Sequence, residues 1–135
     1  MFRTIVLSAA LSFGVTVSAI GISAETAIAG EDAFKSGTFE GRSNHITNGT
    51  VTIVKTDNGY QAVLEDDFDF DGAPDPKLAF ANGGNVDEGT IFVLIEKNKG
   101  KQVYDIPANI NPADFDGFFL WCQQYSVPLG YAALN

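Results

Sequence analysis

The chain has 135 residues, with 17 Asp and Glu against 8 Lys and Arg, and a formal net charge of −9. That acidic balance repels phosphate backbones and anionic lipid heads, which argues against nucleic acid or a membrane surface as partner. A single Cys and a single His exclude an internal disulfide and any four-Cys metal site within one chain.

The N-terminus reads as an export signal. Arg3 gives the charged start, and Ile5, Val6, Leu7, Ala9, Ala10, Leu11, Phe13, Val15 and Val17 form the apolar centre. Small residues then supply a cleavage site. Ile22-Ser23-Ala24 before Glu25 fits best, giving a signal peptide over residues 1–24. Ala27-Ile28-Ala29 is the later alternative, with cleavage at 29. Thr4 to Ala24 approaches the ~20 residues that span a bilayer, but its Ser, Thr and Gly content and its small-residue end favour cleavage over anchoring. No Cys lies near this region to carry a lipid. The expectation is an exported protein, periplasmic or extracellular, with no stable membrane anchor after cleavage. Removal takes away Arg3 and the only Met and no acidic residue, and leaves enough chain for one domain.

Residues 25–36 are polar and weakly periodic and read as a tether before a β domain at 37–135. In that domain Thr50-Val51-Thr52-Ile53-Val54 alternates Thr with β-branched apolar residues, the pattern of a half-buried strand. Asp57-Asn58-Gly59 is a turn signal, and Tyr60 to Leu64 returns as the second arm of a hairpin. Lys77 to Ala81 is a further short strand closed by Asn82-Gly83-Gly84-Asn85. Ile91 to Ile95 is apolar on both faces, as a central strand would be. Asn98 to Lys101 turns the chain into Gln102–Ile106. Asn111 to Phe115 reads as a helical turn, and the runs 118–122 and 126–134 complete the set. The fold expected is all-β, a sandwich or flattened barrel of seven or eight mostly antiparallel strands.

Cys122 is the first residue with chemistry to offer. An unpaired Cys in an exported protein is a buried thiol, an intermolecular bridge, a ligand or a reactive group. Alternation places Phe118, Leu120 and Cys122 on one face of their strand, where a small apolar thiol also serves as core packing. His45 lies in a loop before the first clear strand. Blue copper needs two His and a Cys, covalent haem needs Cys-x-x-Cys-His, and a His/Met haem needs a Met that processing removes. A bare thiol, a non-covalent haem held by Cys122 or His45, or an interchain site survive that elimination. No Gly-x-Ser-x-Gly nucleophile motif occurs, and a Cys–His dyad would lack any local signature, so an ordinary enzyme is not the favoured reading.

Asp67, Asp69 and Asp71 alternate ahead of Gly72, with Asp75 four residues further on. The spacing is that of oxygen ligands at positions 1, 3, 5 and 9 of a calcium loop. Position 12, however, is Leu78 rather than Glu, which excludes an EF-hand. A looser calcium loop would suit a non-catalytic binding or structural module. Solvated aspartates beside Phe68 and Phe70, turned into the core, are the alternative.

Taken in order, Gly37-Thr38-Phe39, His45, Gly49 to Ile53, Phe68, Pro74-Asp75, Gln102-x-Tyr104-x-Ile106-Pro107 and Trp121-Cys122 with Val127, Gly130, Ala132 and Leu134 resemble the DM-thirteen domain family, small secreted β-rich modules linked to electron transfer. The resemblance covers residues 37–134. It implies that Cys122 is the redox residue, as a thiol or as a ligand to a prosthetic group, with His45 as the counterpart of the family's early His. It also implies a redox or protein partner, which the sequence does not name.

Overall fold

The computed structural model describes residues 32–135. The expected signal peptide and residues 25–31 of the expected tether lie outside the described residues. Strand β1 spans Asp32–Gly41, so residues 32–36 are strand rather than tether. Only Phe39 of β1 is buried, so backbone pairing with its neighbours, and not an apolar period, makes it a strand. That pairing leaves little mark in sequence.

Strands β3 (Thr50–Thr56) and β4 (Gly59–Leu64) form the expected hairpin, closed at Thr56 and Gly59. Strand β9 (Gln102–Ile106) lies along the far side of β4. A second hairpin joins β10 (Gly117–Cys122) to β11 (Val127–Ala133), and β6 (Pro76–Asn82) flanks β10. Strand β1 joins the halves. Residues from Asp32 to Thr38 pair with β3, and Phe39 to Gly41 pair with β11. The main sheet therefore runs β6-β10-β11-β1-β3-β4-β9, with short strands β7 (Asn85–Val86) and β8 (Val93–Leu94) on β6. Strands β2 (Thr47–Asn48) and β5 (Asp69–Phe70) form a separate small pair. Every pairing is antiparallel.

The all-β reading holds, and its form is one curled sheet, a half-barrel, rather than two stacked sheets. The concave face carries Val51, Ile53, Leu64, Leu78, Phe80, Phe118, Leu120 and Leu129, all at most 1% exposed. Phe70 of β5 and the loop residues Phe68, Ile95 and Ile110 join this core. Strand β10 is buried on both faces, because Phe119 and Trp121 pack on the convex side with Ala79, Ala81 and Tyr131.

The run Ile91–Ile95 corrects the central-strand expectation. Only Val93–Leu94 is strand, at the sheet edge, and Leu94 is half exposed. A 3-10 turn at Glu88–Thr90 precedes it, with Asp87 accepting from the Gly89 N–H and the Thr90 hydroxyl bonded to the Phe80 backbone. Those polar bonds fix the segment as a connection, while Phe92, Val93 and Ile95 pack on the main core and Ile91 packs on the convex side with Phe119 and Trp121. The helical turn expected near Asn111 is a 3-10 turn at Pro112–Asp114, capped by the Asn111 side chain.

Candidate functional site

Cys122 ends β10, with Pro76 of β6 and Val127 of β11 opposite it. It is a free thiol, 2% exposed, within the apolar core cluster. The turn beyond it is tied down from β6. The Gln123 and Gln124 N–H groups donate to the Asp75 carbonyl (3.3 Å) and carboxylate (2.9 Å), and Lys77 Nζ donates to the Gln123 side chain. Ser126, at φ 51°, closes the turn in the left-handed region, where a non-glycine residue is held only by its surroundings.

His45 follows a tight turn in which Ser43 and Asn44 both have positive φ and the His45 N–H donates to the Arg42 carbonyl at 2.9 Å. Such a turn folds the loop back onto β1. A Cβ at Gly41 would stand 2.0 Å from the His45 carbonyl oxygen, so only glycine admits this approach. The His45 Nδ1–H donates to Asp71 Oδ1 at 2.8 Å, and the Ile46 N–H donates to Asp71 Oδ2 at 3.1 Å. Nδ1 must carry the proton here because a carboxylate only accepts. That orientation leaves Nε2 free of any protein hydrogen bond among the described residues.

The His45 hydrogen bond, followed by the Ile46 N–H, holds the Asp71 carboxyl below the usual carboxylate range. A depressed pKa contributes stability above the unfolded value that is lost as pH falls through the folded one. Acid unfolding of the native chain should therefore steepen below about pH 4, and Asp71→Asn should flatten it there. Melting temperature as a function of pH measures the difference. The partial exposure of both side chains keeps the effect small.

His45 and Cys122 share one end of the sheet. The Arg42 N–H bonds the Leu129 carbonyl near the start of β11, and Cys122 faces Val127 of the same strand. No hydrogen bond joins the two residues; the structure sets His45 against Asp71 instead.

The four aspartates point to four different partners. Asp67 accepts from the Thr50 N–H and hydroxyl, Asp69 pairs with Lys99, Asp71 holds His45, and Asp75 holds Gln124 and Lys77. Among the described residues no group of three or more His, Cys, Asp or Glu is placed to hold a metal ion, so Asp67, Asp69, Asp71 and Asp75 do not converge as a calcium loop. Phe68 and Phe70 are turned into the core.

A porphyrin needs an open cavity beside its axial ligand, and a sulfur at 2% exposure has none open to solvent. Two surface clefts of about 400 Å³ lie elsewhere, one around Arg42 and Tyr131 and the other around Tyr60 and Ile110. Neither includes Cys122 or His45. The residues around Cys122 do not fit haem in this conformation.

Other residues of the sequence pattern are architectural. Gln102, Tyr104 and Ile106 face inward from β9. The Tyr104 hydroxyl accepts from the Glu96 N–H at 2.7 Å and donates to Gln102, whose amide reaches the Lys97 carbonyl. Burial raises the Tyr104 pKa and keeps the hydroxyl a donor. A Cβ at Gly130 would meet the Thr47 side chain at 2.7 Å, and Thr47 donates to the Leu129 carbonyl. Spacing marked Asp71 as a calcium ligand and not as the partner of His45, and the Gln102-x-Tyr104 motif carried no bonding role in the sequence. The sole His was the only pointer to the Asp71 contact.

No curated protein and no solved structure matches the chain. The family model described as electron transfer DM13 matches residues 38–134, which takes in His45, Asp71, the Gln102–Pro107 segment and Cys122. With most of its length under that model, this chain belongs to the electron transfer DM13 family.

Proposed function

We propose that this is an exported electron-transfer domain whose redox group is the guarded thiol of Cys122. The observation that carries the reading is the placement of the only Cys at the end of an interior strand, directly before a turn pinned by Asp75, within the region matched to an electron-transfer family. A lone Cys has no resolving partner in its own chain. Its oxidation is then thiol–disulfide exchange: when the 123–126 turn opens, the Cys122 thiolate attacks a disulfide of a redox partner, forming a mixed disulfide and releasing the partner's other sulfur as a thiolate. His45, oriented by Asp71 at the same end of the sheet, is the group placed to exchange a proton with an incoming partner through Nε2.

The burial of Cys122 in apolar surroundings favours a second reading, a non-catalytic extracellular binding or structural module in which the thiol is packing. Oxidised glutathione separates them. In the first reading, folded protein gains one glutathione on Cys122 by intact mass, and dithiothreitol removes it. A thiol that stays unmodified while the protein remains folded establishes the second. An absorption spectrum of protein taken from its native compartment tests independently for a prosthetic group.

A further inference from the structure

Among the described residues the main sheet has an open edge at β9, and its chemistry is self-complementary. The two-residue turn Asp57–Asn58 closes on the pair Thr56 and Gly59, which is a hydrogen-bonded pair in a hairpin of that length. Counting by twos along β4, Gly59, Gln61 and Val63 bond toward β3. The Glu65 N–H bonded to the Thr50 carbonyl continues that series. Tyr60, Ala62 and Leu64 therefore bond toward β9, where they face Ile106, Tyr104 and Gln102. The backbone groups of Val103 and Asp105, and of Lys101 before them, point the other way. Among the described residues no backbone hydrogen bond reaches them from outside the β4 ladder.

The side chains of Lys101, Val103 and Asp105 are all exposed, Val103 at 48%. Their order is cation, apolar, anion. An antiparallel copy of the same strand centred on Val103 sets Val103 against Val103, and Lys101 against Asp105 of the second copy, on both sides of a two-fold axis. Each of these pairs falls in the hydrogen-bonded phase, since all three residues present N–H and C=O to the edge. Opposite charges directly across a strand pair stabilise it, and like charges oppose it. Asp105 spends one carboxylate oxygen on the Gln61 amide at 2.9 Å and keeps the other for Lys101 of the second copy. Exposed edges with this backbone row accept an added strand unless something blocks them. The flanking charges discourage arbitrary strands and suit this one.

We propose that β9 is a homodimerisation edge, pairing antiparallel with β9 of a second copy about Val103. One five-residue strand buries less than a standard interface, so the dimer is weak and concentration-dependent. This inference does not rest on any role for Cys122.

Sedimentation velocity on protein purified from cells expressing the full chain, from micromolar to millimolar concentration, tests it. The native protein should shift from monomer toward dimer as concentration rises, and less so at high salt. Val103→Pro removes the central outward N–H at an edge position where proline is tolerated. It should abolish the shift with little change in melting temperature. Lys101→Asp and Asp105→Lys should each weaken association at least tenfold, and the double variant, which restores opposite pairing in reverse, should recover it. A native protein that stays monomeric throughout would overturn the proposal, and so would a double variant no better than the singles. Association of folded Val103→Pro at the native level would overturn it as well. Should Val103→Pro fail to fold, the charge cycle decides alone.

Discussion

In the folded protein, Cys122 is expected to react with a thiol reagent at least about a hundredfold more slowly than in denaturant, and Asp75→Ala is expected to recover much of that rate. A sulfur at 2% exposure reacts only through opened states. Each 1.4 kcal/mol needed to open them slows the reaction tenfold, and local openings range from near zero up to the global stability. Which opening dominates can be read from the bonds that hold the strand and the turn on either side of the thiol. Strand β10 is paired on both sides and buried on both faces, so it separates only on global unfolding. The 123–126 turn hangs on the Asp75 carboxylate and carbonyl, the Lys77–Gln123 contact and a strained Ser126. Truncating Asp75 deletes the charge-assisted bond to the Gln124 N–H, worth about 1.5–3 kcal/mol, together with the partly exposed ion pair to Lys77, which adds little. Labelling with a chromogenic disulfide, followed in native buffer and in urea, gives both rates. Acceleration by Asp75→Ala with no equal loss of global stability identifies the turn as the gate. If native and variant thiols react only as fast as the whole domain unfolds, the guarded-thiol mechanism fails and Cys122 is packing.

Which features were legible in the sequence follows from how local their causes are. The β3–β4 hairpin was readable because alternation in Thr50–Val54 and the turn residues at 57–59 are short-range signals, and the ladder follows from them. Phe68 and Phe70 were readable as inward-facing for the same reason. The run Ile91–Ile95 misled because an edge segment that packs on both faces of the sheet has the same composition as a central strand. Only the capping by Asp87 and Thr90 tells them apart. Strand β1 from Asp32 to Ser36 was missed because its partners, β3 and the Asn135 backbone bonded to Ser36, are distant in sequence and its own side chains are mostly exposed. The alternating aspartates suggested convergence, since period two puts them on one side of an extended segment. The strand there is only Asp69–Phe70, and Asp67 is claimed by Thr50 at the start of β3 while Asp71 is claimed by the His45 loop. The His45–Asp71 contact joins residues 26 apart through a fold no local rule specifies. For Cys122, alternation gave the face and the family resemblance gave the interest; burial on that face is what the structure adds.

Phe118→Ala should be the most destabilising substitution considered, at about 3–5 kcal/mol. Phe118 is 0% exposed at the middle of β10, facing the concave core. Its ring meets Phe80 edge-on at 5.0 Å between centroids, with Phe39 at 6.3 Å and Phe92 at 6.5 Å. The backbone partners opposite it are Phe80 on β6 and Ala132 on β11, so removing the ring empties the centre of the aromatic cluster. Collapse of the surrounding strands cannot refill the space, because their spacing is fixed by the ladders on both sides. A domain of this size holds only about 5–15 kcal/mol in total, and each kcal/mol moves the midpoint by about 4–8 °C. The variant should therefore melt on the order of 15–30 °C lower. Phe34→Ala is the matched control: Phe34 is 39% exposed on β1 and touches only the Tyr60 ring among the aromatic contacts, at 5.3 Å. Its loss should cost under about 1 kcal/mol. Urea unfolding of the two variants beside the native protein gives the comparison. Equal costs would mean that the concave face of the half-barrel is not the core on which the domain, and the position of Cys122 two residues past Leu120, depends.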